Sequence, residues 1–395
     1  MEIKILHNPD WKSGKYFSSD SIIEKIKTKS EYENIAQVKY DILKADSSEK
    51  YEILPNIEKF DIGEIKHITK DSDYLYFVNI FENEGQGVVA LLRHNLTTLE
   101  TESVYSFEED ISSINRTKRF KIFIINDNYL IIQSEFLVTN MANTYSGYFE
   151  FSQKLINMKD FSVMDILDEN FTNNGISYLI PISENQCVVK TGYDLLTDNR
   201  YNSLEKEEAS LESIGFLNVG QMVSDMVLDT KNINVDIIEQ AYFTKTIPYV
   251  KIQDNYLIYT VVDNELKQEE IKFYNLETAE IKSCINQQVI IESDLANPVV
   301  INQEPYMCLK RKGEISFLNI NTNKVDYKNS TDMHLSRILK DTIIYSGVRK
   351  QLLTKKVKPF FEIHSFPNGQ VLLHDEHEYL DSVEVENDVI YIVVK

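Results

Sequence analysis

The sequence predicts an all-β chain built from a repeated unit of four short strands. Three observations lead there. An apolar strand preceded by Asp, Asn or another turn residue recurs seven times along the chain. A hairpin with a shared turn follows it in several copies. The composition, with 23 Tyr, 19 Phe and only 12 Gly in 395 residues, favours strands over helices.

The recurring strand lies at residues 71–78, 125–133, 183–190, 253–261, 303–310, 339–346 and 385–394. Aligning Tyr74, Tyr129, Cys187, Tyr256, Tyr306, Ile343 and Val389 gives a mean spacing of about 52 residues, a period of supersecondary repeats with insertions. The hairpin turn is Asn-Leu/Ile-x-Thr-x-charged at 95–100, 275–280 and 319–324, with 365–370 a looser fourth copy. Asn and Thr oxygens accept backbone N–H groups in such turns, and Asn or Gly tolerates the left-handed conformation they need. Residues 253–284 show strand, turn and hairpin in succession. The 63–107 copy places four strands at about 64–69, 74–80, 88–95 and 100–107. Short strands with a turn every 8–12 residues predict a sandwich, barrel or propeller, and a four-stranded repeat of this period selects the propeller.

Two regions stand apart from the repeat. Residues 1–32 read as an N-terminal extension packed on the main domain: a short strand at 2–6, then a short helix opened by the capping-box spacing of Ser21 and Glu24, with Ile22, Ile23 and Ile26 on one face. An insertion at about 192–230 contains an acidic helix at 203–213 and an amphipathic stretch at 221–228. Met222 and Met226 on that stretch either pack the insertion onto its own blade or dock a partner, since insertions in repeats often map to a binding face.

Residues 33–395 resemble a seven-bladed β-propeller of four-stranded antiparallel blades. The last recurring strand, 389–394, ends the chain without its third and fourth strands, so the last blade is expected to be closed by N-terminal strands, with the hairpin at 36–54 as the partner. The alternative is a six-bladed ring with the 183–190 unit misassigned, and a large sandwich comes third. Neither the Trp-Asp ending of WD40 blades nor the double glycine of kelch blades is present, and the single Trp is Trp11.

A formal net charge of −21 opposes binding to phosphate backbones. The basic stretches 116–121 and 349–358 read as solvated turns or loops. No apolar run approaches the roughly 20 residues of a membrane span, and 1–15 lack a signal-peptide core. Cys187, Cys284 and Cys308 are far apart and sit in apolar strand-like segments, so reduced buried thiols in a cytoplasmic protein are expected. No nucleophile elbow, phosphate-binding glycine loop or HExxH pattern occurs, and no cofactor is implied. His374-Asp375-Glu376-His377, with His364 upstream, is the densest ligand-like cluster, but on a strand its neighbours alternate faces, which makes a shared metal awkward.

Ligand sites of the resembling superfamily usually lie at the central channel, which the first strands of the blades border. The polar residues near those strands are His67, Arg119, Tyr249, Lys251, His334 and Arg337. Converging on one mouth, several of them could bind an anion or a small polar ligand; singly, each is an inter-strand donor or a solvated side chain. The leading expectation is a non-catalytic interaction or scaffold module that holds a protein partner through its faces or the 192–230 insertion. The alternative is a hydrolase- or lyase-like enzyme or small-ligand binder working in the channel.

Overall fold

The computed structural model describes residues 2–8, 14–18, 21–29, 36–44, 50–52, 64–71, 73–83, 86–98, 100–109, 119–139, 147–166, 176–191, 212–227, 235–241, 244–263, 265–285, 295–311, 313–330, 333–339, 341–350, 357–376, 379–386 and 389–394. Seven four-stranded antiparallel sheets succeed one another at 14–52, 64–109, 119–165, 176–241, 245–285, 295–330 and 334–375, here blades 1 to 7. An eighth sheet of three strands joins the two ends of the sequence: Leu380–Glu386, Val389–Val394 and Glu2–His7. Each blade is a simple up-and-down meander, with strands hydrogen-bonded in sequence order, as in a β-propeller. The 183–190 unit belongs to a complete blade, so the six-bladed alternative does not apply.

In blades 2 to 7 the second strand carries an apolar run because both its faces are buried, each against a neighbouring blade. In blade 5, Ile258 packs with Val300 and Met307 of blade 6, while Leu257 and Tyr259 pack with Val188 and Ile214 of blade 4. The same alternation joins blade 2 to blade 3 through Tyr76, Val78, Phe120 and Ile122, and blade 6 to blade 7 through Phe317, Tyr327, Ile343 and Tyr345. Core and inter-blade interface are therefore the same thing.

The hairpin turns form as the sequence predicts. Asn95 Oδ1 accepts the N–H groups of Thr97 and Thr98, Asn275 Oδ1 those of Glu277 and Thr278, and Asn319 Oδ1 those of Asn321 and Thr322, all at 2.8–3.1 Å. The looser fourth copy uses the Ser365 hydroxyl to accept from Gln370 N–H. The fifth residue of the turn is left-handed in three copies, Ala279 (φ 58°), Asn323 (φ 54°) and Gly369 (φ 69°).

Several sequence expectations are corrected. Ser21–Lys29 is a nine-residue strand paired along its whole length with Ala36–Lys44, not a helix. Its Ile-rich, β-branched composition prevails over the local capping spacing once a partner strand is available. The ring is closed from the N-terminal side, but by Glu2–His7 running parallel to Val389–Val394. The 36–54 hairpin, assigned that role from the sequence, instead completes blade 1 with Gly14–Ser18 and Ser21–Lys29. Of the acidic helix expected at 203–213, residues 203–211 lie outside the described residues, and Glu212 and Ser213 open the strand Glu212–Asn218. The helical stretch at 221–228 is present as helix α1, Val219–Val227.

Candidate active cavity at the central channel

The first strands of blades 5, 6 and 7, Lys245–Gln253, Leu295–Ile301 and His334–Leu339, stand side by side with Leu380–Glu386 of the closing sheet. Residues from all four enclose one cavity of about 580 Å³. Its polar lining comes from Tyr249, Lys251, Gln253, Asn297, Ser336 and Arg337, with Ile252, Pro298 and Leu335 supplying apolar wall and Asp254 at the turn. First strands are sheet edges, with one side free of ladder partners. That freedom lets Pro298 sit within one without breaking a sheet.

Two local irregularities aim the lining. The pairing register slips by one residue between Thr246 and Tyr249, at Ile247-Pro248, and again between Leu335 and Arg337, at Ser336. An extra residue of this kind bends the strand and redirects the side chains beside it. Tyr249 and Arg337 follow these two bulges and both reach the cavity.

Lys251 Nζ donates to Gln253 Oε1 at 3.0 Å, and Gln253 Nε2 donates to the Val300 carbonyl of blade 6 at 2.8 Å, so Gln253 holds the lysine and ties two blades at once. Burial, and then the positive charge of Arg337, pulls the Lys251 ammonium down to about 8. Arg337 Nη2 stands 3.3 Å from Glu384 Oε2, both side chains about half exposed, a loose pair of small energetic weight. Ser336 Oγ and Ser346 Oγ are 2.6 Å apart. Burial raises the Tyr249 hydroxyl above its ordinary range and pushes Tyr178, in the adjoining first strand of blade 4, up to about 12. The arrangement offers two cations, an aromatic ring and neutral amide and hydroxyl groups to a small ligand carrying negative charge.

Of the residues singled out from the sequence, Tyr249, Lys251 and Arg337 come together here. His334 is exposed, at the start of the strand that carries Arg337, and is not part of the lining. His67 and Arg119 occupy the first strands of blades 2 and 3, but their side chains lie outside the described residues. Sequence reasoning missed Gln253, Asn297 and Ser336; Pro248, at a bulge, and Pro298, on a sheet-edge strand, are the signal that could have pointed to this wall.

Met222 is 2% exposed and packs with Val219, Leu217, Ile176 and Cys187, fixing helix α1 onto blade 4. It belongs to the core; the Met226 side chain lies outside the described residues. In blade 7, Glu362 stands between two imidazoles, 2.8 Å from His364 Nε2 and 2.9 Å from His374 Nδ1, while His374 Nε2 is 3.1 Å from Glu376. Among the described residues no group of three His, Cys, Asp or Glu side chains is arranged to hold a metal ion, and His377 lies outside them. All three cysteines are free thiols. Among the described residues no helix is long and apolar enough to cross a membrane.

No family model matches the chain, and no curated protein matches it in sequence. Solved structures similar to it include the dihydro-heme d1 dehydrogenase NirN in complex with DHE, at 10% identity and TM-score 0.40 over 89% of this chain and 64% of that one. Another is the β-propeller domain of the Trilobed protease from Pyrococcus furiosus, at 10% identity and TM-score 0.39 over 82% and 88%. A third is Oligopeptidase B from Leishmania major, at 8% identity and TM-score 0.32 over 97% and 59%. The chain thus spans less than two thirds of the length of NirN and of the oligopeptidase. Such distant likenesses transfer no activity, and it is the strand order of the sheets that makes this chain a β-propeller.

Proposed function

We propose that this propeller binds a small anionic ligand in its central cavity, with Lys251 and Arg337 supplying the charge. The observation that carries the reading is that these two cations, from different blades, line one cavity, where the Arg337 charge adds to burial in lowering the Lys251 ammonium. Like charges held together cost free energy in the empty protein, and an anion placed between them recovers it. A chain of net charge −21 that keeps two cations on one cavity wall spends them most usefully on such a ligand. Gln253, Asn297 and Ser336 add neutral donors and acceptors, and Tyr249 offers a ring face.

The interaction-module reading has less support at the residues chosen for it, because Met222 is engaged in the core of blade 4. The channel reading needs no side chain to leave its place.

Calorimetric titration with inorganic phosphate and with pyruvate tests the proposal. Saturable binding to the wild type is expected, weakened about tenfold or more by Lys251→Gln or Arg337→Gln and lost in the double variant. Equal heats from the wild type and the double variant would overturn it.

A further inference from the structure

Lys251 keeps different company from three other partly buried lysines. Lys190 is paired with Glu212, Lys272 with Glu239 and Glu270, and Lys154 with Asp165. The hydrogen bond of Lys251 goes to the neutral amide of Gln253, and no carboxylate pairs with it among the described residues, although the chain carries 62 Asp and Glu. The charged groups around it are Arg337 and the turn residue Asp254 on the cavity wall, and Glu384 beyond Arg337; Tyr249 is the other titratable neighbour. An amine held by a neutral acceptor, facing open volume and next to a guanidinium, is the arrangement that makes a lysine nucleophilic rather than merely cationic.

We infer that the cavity takes a 2-oxo acid, whose carboxylate is held by Arg337 and whose carbonyl carbon condenses with Lys251 Nζ. This deepens the anion-binding reading and rests on it. The neutral amine attacks the carbonyl carbon through its lone pair, forming the C–N bond; the carbonyl oxygen takes up one proton from solvent and the nitrogen keeps both of its own. The carbinolamine then loses its hydroxyl as water, leaving an imine protonated on nitrogen. No oxidant or reductant enters, and the step reverses by addition of water. Free amine is available near neutral pH because burial and Arg337 hold Lys251 close to 8. Gln253 Oε1, which accepts from the starting amine, is placed to accept from the iminium N–H as well.

The test is reductive trapping of the intact protein with pyruvate and borohydride, followed by peptide mapping, run beside calorimetry with inorganic phosphate. A carboxyethyl adduct is expected on Lys251 at a level on the order of tenfold above any other lysine. Arg337→Gln should reduce trapping by pyruvate about tenfold more than trapping by acetone, which has no carboxylate and loses only through the less depressed Lys251 ammonium. Lys251→Arg should abolish the adduct, since it keeps the charge and removes the nucleophile. If phosphate binds but pyruvate leaves no adduct, or one spread evenly over the lysines, the imine inference fails and anion binding stands. If phosphate does not bind either, both fail.

Discussion

The carboxylate of Glu212, in blade 4, accepts the backbone N–H of Ile247 in the first strand of blade 5, while its other oxygen lies 3.1 Å from Lys190 Nζ in its own sheet. One side chain thus satisfies a buried lysine and caps an N–H at a strand irregularity, across a joint between blades. Gln133 does the same between blades 3 and 4, its amide accepting from Ile176 N–H and donating to Ile176 C=O. Polar clasps of this kind set the register of blades whose apolar contacts alone would let them slide.

Glu212→Ala leaves Lys190 buried without its carboxylate and Ile247 N–H without an acceptor. The expected loss is about 3–5 kcal/mol in urea denaturation. A Lys190→Met, Glu212→Leu double variant should recover part of that loss, because it removes the buried charges together. A double variant no more stable than Glu212→Ala would argue against the clasp.

Lys251 provides a pH signature. Its ammonium is held at about 8 in the folded protein against 10.5 ordinarily, so the unfolded chain binds more protons between those values and stability rises with pH across that window. Below about 8 the lysine is charged in both states and the whole penalty is present. Lys251→Met should therefore stabilise the protein by about 1–3 kcal/mol at pH 7, a gain that shrinks toward zero as pH approaches 10.5. Denaturant midpoints measured from pH 6 to pH 10 would show the two proteins converging.

The turns allow a local test. Asn275→Ala removes the acceptor for Glu277 and Thr278 N–H, at an expected cost of about 1 kcal/mol. Ala279→Gly should act in the opposite sense, by about 0.5–1 kcal/mol, because Ala279 pays for its left-handed backbone and glycine does not. Melting temperatures of the two variants should bracket the wild type.

Burial pushes the thiols of Cys187 and Cys308 up to about 12, and Cys284 in the same direction. Thiolate is the reactive form, so Cys187 and Cys308 should resist alkylation by iodoacetamide at pH 8 in the native protein. Both should react on unfolding in guanidinium, and mass spectrometry distinguishes the cases.

What could be read from the sequence was what residues decide with their near neighbours. The four strands expected at 64–107 are found as Glu64–Lys70, Tyr74–Asn83, Gln86–Asn95 and Thr101–Glu109, because apolar runs and Asn-based turns are local signals. Ser21–Lys29 was misread because Ser21, Glu24 and the isoleucines satisfy a helical spacing, and the partner that makes it a strand, Ala36–Lys44, is invisible to a short window. The closing strand was misassigned for a related reason: Glu2–His7 and Val389–Val394 are separated by nearly the whole chain. The cavity was half legible. Tyr249, Lys251 and Arg337 could be named as polar residues of first strands, but their meeting depends on which blades adjoin and on bulges at Pro248 and Ser336.

The parallel pairing of Glu2–His7 with Val389–Val394 also has a mechanical meaning. Glu2 and Val394, the outer ends of the two strands, lie at opposite ends of the pair. A pulling force applied through them would slide the strands past one another and load their hydrogen bonds together rather than one at a time. The seam that holds the ring shut is oriented to resist tension as a lap joint does, whereas an antiparallel seam loaded from adjacent ends would peel.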